Sequence, residues 1–279
     1  MTAADTAVHE AAPAKVNLAL HVTGRRADGY HLLDSLVVFA EAGDLLDARP
    51  AAQTRLRVTG PMAAGVPDDD RNSVLRAAAL IGVTAGITLE KHLPAAAGIG
   101  GGSSDAAACL RALARLADVA LPTGVLALGA DVPVCLLARA GRMRGIGETV
   151  EPVDALPALD AVLVNPRVPV ATPEVFARLE RRENAGLPLA LPRWRNAGDC
   201  ALWLASQRND LEAPARALCP RIGAVLEGLR ATRGCALARM SGSGATCFGL
   251  YPDATAARQA AARIAAERPD WWVVATRLR

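Results

Sequence analysis

The sequence predicts an α+β protein, and three observations carry that reading. Residues 15–22 alternate: Val16, Leu18, Leu20 and Val22 fall on one side, Lys15, Asn17 and His21 on the other, the pattern of a strand with one buried face. A glycine-rich stretch follows an alternating run at 87–93 that ends at Pro94, and a helix opens behind it at Ser103 or Ser104 and reaches about residue 117. Near the C-terminus two extended runs, 236–240 and 246–251, are followed by an Ala-rich helix over 253–268 and an extended run at 272–276. That order suggests a small antiparallel sheet backed by helices.

The remaining elements fill in between. A polar turn at 24–29 leads to an extended run at 32–39, and 45–48 and 54–59 read as further strands. Asn72 can cap a helix running to about residue 85. A shorter helix over 122–128 stops at Gly129, and Asp131 sits just past that stop. Residues 161–164 start what reads as a second domain, followed by a helix over 173–182 and a Pro- and Arg-rich loop over 184–196. Pro220 suits the first turn of a helix whose Ile222, Val225, Leu226 and Leu229 have helical spacing.

Bulk properties exclude several classes. Lys+Arg 31 against Asp+Glu 28 leaves +3, too balanced to argue by itself for a nucleic-acid or membrane-surface binder. No stretch approaches the ~20 apolar residues of a spanning helix, and residues 1–14 carry Asp5 and Glu10 without an apolar run, unlike a signal peptide. The expected location is cytoplasmic. Six scattered cysteines and four histidines give no zinc spacing, so the thiols read as small core hydrophobes.

The segment with most chemical content is Pro94-Ala95-Ala96-Ala97-Gly98-Ile99-Gly100-Gly101-Gly102-Ser103-Ser104. Glycines let backbone N–H groups approach a ligand, and a helix start adds unpaired donors and partial positive charge, which together suit phosphate. A flexible surface loop would share the composition. A Walker loop is excluded because no G-x-x-x-x-G-K-[ST] is present, and a dinucleotide fold fits poorly because Pro94 and three alanines separate strand from glycine.

The loop resembles the phosphate loop of the GHMP kinases, P-x-x-x-G-[LI]-G-[SG]-S-[SA]-A. Other segments agree in order: Pro13-Ala14-Lys15-Val16-Asn17-Leu18, Arg26 with Asp28-Gly29-Tyr30-His31, Gly129-Ala130-Asp131-Val132-Pro133, Arg144-Gly145-Ile146-Gly147-Glu148, Asn209-Asp210-Leu211-Glu212, and Ser241-Gly242-Ser243-Gly244-Ala245-Thr246. The ordered set runs from Pro13 to about Tyr251. Departures are modest: Ile99 replaces the commoner Leu, and Asp105 stands where Ala or Asn is frequent. The resemblance implies two domains, 1–158 of the ribosomal protein S5 domain 2-like type and 159–279 of the ferredoxin-like type. It also implies ATP as co-substrate with Mg2+, a monomer or homodimer, and no nucleic-acid or membrane partner.

It further implies roles for particular residues. Asp131 would be the general base and Lys15 the cation beside it. Residues 94–104 would bind ATP. Asn17, Tyr30, His31 and Phe176 would hold a cytidine diphosphate-linked methylerythritol, the cytosine ring lying between Tyr30 and Phe176. Each residue also has a plainer reading: Asp131 as a turn or cap acid, Lys15 as a solvated strand lysine, His31 as structural, Phe176 as helix core, the 241–244 loop as a hairpin turn. No metal ligands are assigned. A kinase for another alcohol, such as homoserine, mevalonate or a sugar, and a non-catalytic nucleotide-binding regulator are the competing functions. The Asp28-Gly29-Tyr30-His31 segment speaks against the first, and the presence of Lys15 and Asp131 against the second.

Overall fold

The computed structural model describes residues 7–95 and 97–279. It divides into two compact units that do not follow the chain in simple order. One takes 7–14, 42–95 and 100–138; the other takes 15–41, 97–99 and 139–279. Two long strands, β1 (Val8–Arg25) and β2 (His31–Pro50), therefore contribute residues to each.

In the first unit, the later part of β2 pairs antiparallel with β4 (Ala85–Glu90), from Leu45 opposite Glu90 to Pro50 opposite Ala85. β3 (Arg55–Thr59) lies parallel to β4 on its other side. Helices α1 (Ser73–Ile81), α2 (Gly101–Ala117) and α3 (Val132–Leu137) complete the unit, with a 3-10 turn at Val125–Leu128. Leu46, Ile87 and Leu89 from the strands meet Val74, Ala106, Cys109, Leu110 and Leu113 from the helices in one apolar core. The alanines along α2 allow this close helix–sheet approach, because a methyl keeps the backbone near its neighbour.

In the second unit, the early part of β2 pairs with β5 (Gly141–Gly145), which pairs with β6 (Thr149–Pro152). β10 (Trp272–Leu278) pairs antiparallel with β7 (Leu159–Asn165), β7 with β9 (Cys247–Tyr251), and β9 with β8 (Leu237–Met240). Helices α4 (Thr172–Ala177), α5 (Ala197–Ala205), α6 (Glu212–Leu218), α7 (Arg221–Arg230) and α8 (Ala254–Glu267) accompany them. Ile222, Val225, Leu226 and Leu229 of α7 enter the core together, as their spacing predicts. The expected antiparallel sheet with helical backing is present.

Several boundaries differ from expectation, each for a local reason. The run at 45–48 is not a separate strand but the end of β2. Gly43 lies inside that strand, where an added β-carbon would stand 2.6 Å from the Ala12 carbonyl oxygen; it serves close backbone approach, not a turn. α1 ends at Ile81, four residues early, where Gly82 caps it through its N–H to Ala78 O. α4 stops at Ala177, because Arg178 N–H is shared among carbonyls of Glu174, Val175 and Phe176. The helix expected over 122–128 is only the 3-10 turn. Three helices, α3, α5 and α6, and the β5–β6 pair were not expected.

The largest difference concerns β1. One buried face was expected, yet Lys15 (4 % exposed), Asn17 (0 %) and His21 (1 %) are buried alongside the apolar set. Among the described residues no helix is long and apolar enough to cross a membrane. All six cysteines are free, and all but Cys235 are buried, as expected for core thiols.

Candidate active site

A polar strand residue with no exposure must be held by partners. Asn17 is held within the second unit. Its backbone N–H donates to Ser241 Oγ at 3.0 Å and its Nδ2 to Ser35 Oγ at 2.8 Å. Ser35 passes the bond on to Ala19 O at 2.7 Å. Asn17 Oδ1 is left buried without a partner. Next to it, Lys15 N–H donates to Ile99 O at 2.9 Å, so the strand bonds directly to the glycine-rich stretch.

The same stretch is gripped by the 241–244 loop. Ser241 Oγ donates to Gly98 O at 3.0 Å, and Thr246 N–H donates to Ala97 O at 3.1 Å. Gly98 has φ +71°, and a β-carbon there would lie 2.6 Å from both Ser241 O and Gly244 O. Only glycine meets both demands. The 241–244 loop is thus packed on residues 97–99, more than a plain hairpin turn requires. Of the expected nucleotide residues, Ala96 lies outside the described residues.

The helix side of the stretch belongs to the first unit. α2 starts at Gly101 with no side-chain cap, so its first-turn N–H groups face outward without carbonyl partners inside the helix. Ser104 hydroxyl donates to Pro13 O at 2.7 Å and its N–H to Gly100 O at 2.8 Å, which commits it to structure. Ser103 hydroxyl makes no hydrogen bond to a described residue and lies against Gly129, 3.4 Å from where a β-carbon would stand. Two residues on, Asp131 precedes α3, and its side chain makes no capping bond to that helix. Arg111 of α2 reinforces this contact through Nη1 to Cys135 O at 3.0 Å. The start of α2 and the Gly129-Ala130-Asp131 turn therefore meet within one unit.

Behind the start of α2 lies a buried charge cluster that sequence reasoning missed. Lys91 Nζ donates to Asp44 and, at 2.6 Å, to Asp105 Oδ2. Asp44 also accepts the N–H groups of His92 (2.5 Å) and Leu93 (2.8 Å), while Asp105 Oδ1 has no partner. Burial, and the Asp44 charge beside it, push the Asp105 carboxyl up to about 7 against the pull of Lys91. Burial works to lower the Lys91 ammonium, but the facing carboxylates outweigh it and raise its pKa. The remaining signal was Asp105 itself, an acid inside an apolar helix turn.

The aromatic residues lie in the second unit. His31 stacks on Phe176 with ring centres 4.7 Å apart and planes at 23°. Its Nε2 is buried and without a partner among the described residues, and burial together with the Arg25 and Arg182 charges lowers its pKa. Tyr30 is 61 % exposed on a turn closed by Arg26 N–H to Tyr30 O at 2.7 Å. Below them Asp34 and Arg142 form a buried pair with bonds of 2.8 and 2.7 Å. Arg142 also holds the carbonyls of Leu187, Pro188 and Leu189, fixing the loop that follows α4. This brace was not read from the sequence, because an Asp and an Arg 108 residues apart carry no joint pattern.

Among the described residues no three His, Cys, Asp or Glu side chains gather as a metal cage. A magnesium ion that arrives on a nucleotide takes water and phosphate oxygens for most of its ligands and needs no such cage.

Comparisons with known proteins identify the family. The family model for the GHMP kinases N terminal domain matches residues 72–139, and that for GHMP kinases C terminal matches 188–270. The chain is 59% identical over 269 residues to the 4-diphosphocytidyl-2-C-methyl-D-erythritol kinase of Dinoroseobacter shibae, covering 96% of this chain and 94% of that relative. It is 58% identical over 271 residues to the enzyme of the same name from Cereibacter sphaeroides, covering 96% and 98%. A crystal structure of 4-(cytidine 5'-diphospho)-2C-methyl-D-erythritol kinase superposes with TM-score 0.80 at 38% identity, covering 97% of this chain and 98% of the other. The L. major mevalonate kinase shares the fold at TM-score 0.66 and 16% identity. With both domain models matched and near full-length relatives above half identity, the chain belongs to the GHMP kinases.

Proposed function

We propose that this protein transfers the γ-phosphoryl group of ATP to the 2-hydroxyl of 4-(cytidine 5'-diphospho)-2-C-methyl-D-erythritol, giving the 2-phosphate and ADP, a step toward isoprenoid precursors. The observation that carries the reading is the contact of Ser103 with Gly129, which sets a helix start suited to phosphate beside the turn that bears Asp131. The names of the near full-length relatives supply the acceptor.

Phosphoryl transfer requires a held donor, an aligned hydroxyl and neutralised charge. The outward N–H groups of Gly101, Gly102 and Ser103 take the donor's phosphate oxygens. Asp131 accepts the proton of the acceptor hydroxyl. Lys15 supplies positive charge to the oxygens on which negative charge develops. Asn17 Oδ1, buried and unpartnered, accepts a hydrogen bond from the acceptor. Phe176 and Tyr30 offer ring faces to cytosine, and His31 Nε2 offers an edge contact. Mg2+ bound with ATP shields the phosphate charges. The reading carries with it a cytoplasmic location.

The test is ADP release measured with the cytidine-linked substrate, homoserine, mevalonate and galactose in parallel. Turnover is expected with the first alone. Equal or faster turnover with another alcohol would replace the acceptor, and ATP turnover with none would remove the kinase reading.

A further inference from the structure

The second unit holds a groove that none of the roles above uses. It has a volume of about 620 Å³ and is bordered by Arg208, Arg216, Arg230, Arg239, Glu212 and Cys235, among others. That volume is in the range of small-ligand sites. Four arginines and one glutamate border it, and Asp210 is paired with one of those arginines, Arg208.

Two of the four guanidiniums are committed inside the protein and two are not. Arg208 pairs with Asp210 at 2.6 Å. Arg239 is buried, and its terminal nitrogens donate to the carbonyls of Leu18, Leu204 and Gln207, which bind the group without neutralising it. Glu212 accepts Met240 N–H at 3.0 Å. Arg216 on α6 and Arg230 at the end of α7 are exposed, and neither forms an ion pair with a described residue. Two uncommitted guanidiniums on different helices bordering one groove suit an anion carrying two linked phosphate groups.

The groove is also wired to the phosphate loop. Asn209, on its wall, donates from Nδ2 to Met240 O and Gly242 O, each at 2.8 Å. Glu212 holds the N–H of the same Met240. The next residue, Ser241, donates to Gly98 O. Three bonded steps thus lead from the groove wall to the backbone of residues 97–99, all within one unit.

We propose that this groove is a second anion site, taking a diphosphate group on Arg216 and Arg230. Inorganic pyrophosphate is the probe. Cys235 gives a local readout, because it borders the groove and is the one cysteine of the six that is not buried. Burial raises its thiol pKa, so alkylation is followed under mildly alkaline conditions, with peptide mass spectrometry to locate the label.

Pyrophosphate should slow labelling of Cys235 several-fold, with ATP present at saturation to occupy the phosphate loop. The doubly substituted R216A/R230A protein should lose this protection, and R216K/R230K should retain part of it. Equilibrium dialysis should show a pyrophosphate equivalent that ATP does not displace and that R216A/R230A lacks. Labelling unaffected by pyrophosphate overturns the proposal. So does protection that ATP abolishes or that survives R216A/R230A, either of which places the anion elsewhere. Both substituted residues are exposed, so circular dichroism of the variants is expected to match the parent, and the single variants R216Q and R230Q repeat the measurement with smaller changes. Kinase activity is scored separately, so failure of this site and failure of the kinase reading give different results.

Discussion

The Lys91 ammonium donates to the Asp105 carboxylate at 2.6 Å, in the first turns of the helix that follows the glycine-rich stretch. Two carboxylates share this one ammonium, and the unpartnered Asp105 oxygen marks where compensation is incomplete. Asp105 is raised to about 7 from an ordinary 3.8. The folded chain therefore keeps a proton that the unfolded chain releases, and this group's contribution to stability falls as pH rises between those values. The D105N variant cannot titrate there. Its melting temperature relative to the parent should rise from pH 4 to pH 7 and level off above. A difference that is independent of pH would show that Asp105 stays ionised throughout.

Arg142 should be costly to remove. R142M leaves Asp34 buried without its cation and frees the carbonyls at 187–189, a loss of about 3–5 kcal/mol for a broken buried pair. Urea unfolding measures it. The double variant D34N/R142M should recover part of the loss, and additive single effects would contradict the pairing.

At residue 98 the expected result is a contrast between neighbouring glycines. G98A drives a methyl against two carbonyl oxygens at 2.6 Å, whereas G102A meets only Ser73 Oγ at 3.5 Å. ATP affinity should fall by roughly tenfold or more in G98A, equivalent to about 1.4 kcal/mol, and stay near parental in G102A. Equal affinities in the two variants would mean that the grip of the 241–244 loop does not shape the nucleotide site.

For D131N, kcat should drop by about 10²–10⁴-fold, the usual contribution of a positioned general base, while ATP still binds by calorimetry. Near-parental turnover would leave Asp131 with a structural role only.

Phe176→Ala removes a ring face and the stack under His31. The cytidine substrate's KM should rise by about 5- to 150-fold, as expected from ~1–3 kcal/mol of base stacking, with kcat less affected. An unchanged KM in a folded variant removes Phe176 from the substrate site.

Much of the fold was legible because it is written in local patterns. The α7 spacing of Ile222, Val225, Leu226 and Leu229 and the Asn72 cap are short-range signals, and the structure follows them. The glycine-rich stretch ahead of α2 was legible for the same reason: glycines and a helix start are adjacent in sequence. What stayed hidden depends on long-range meetings. The alternation in β1 correctly marked a strand but suggested solvent for Lys15, Asn17 and His21, because burial of its second face is supplied by residues such as Ser241, 224 positions away from Asn17. The Asp44–Lys91–Asp105 cluster and the Asp34–Arg142 brace are likewise assembled from distant segments. α3 escaped notice because six residues are too few to show a helical period.

Arg239 has a temporal implication. Its guanidinium reaches back 221 positions to the carbonyl of Leu18, and the inner part of β1 belongs with residues 139–279. Ribosomal synthesis therefore releases β1 with its partner β2 well before β8, which carries Arg239, exists. Such late closure slows folding and leaves an apolar segment in need of temporary shelter.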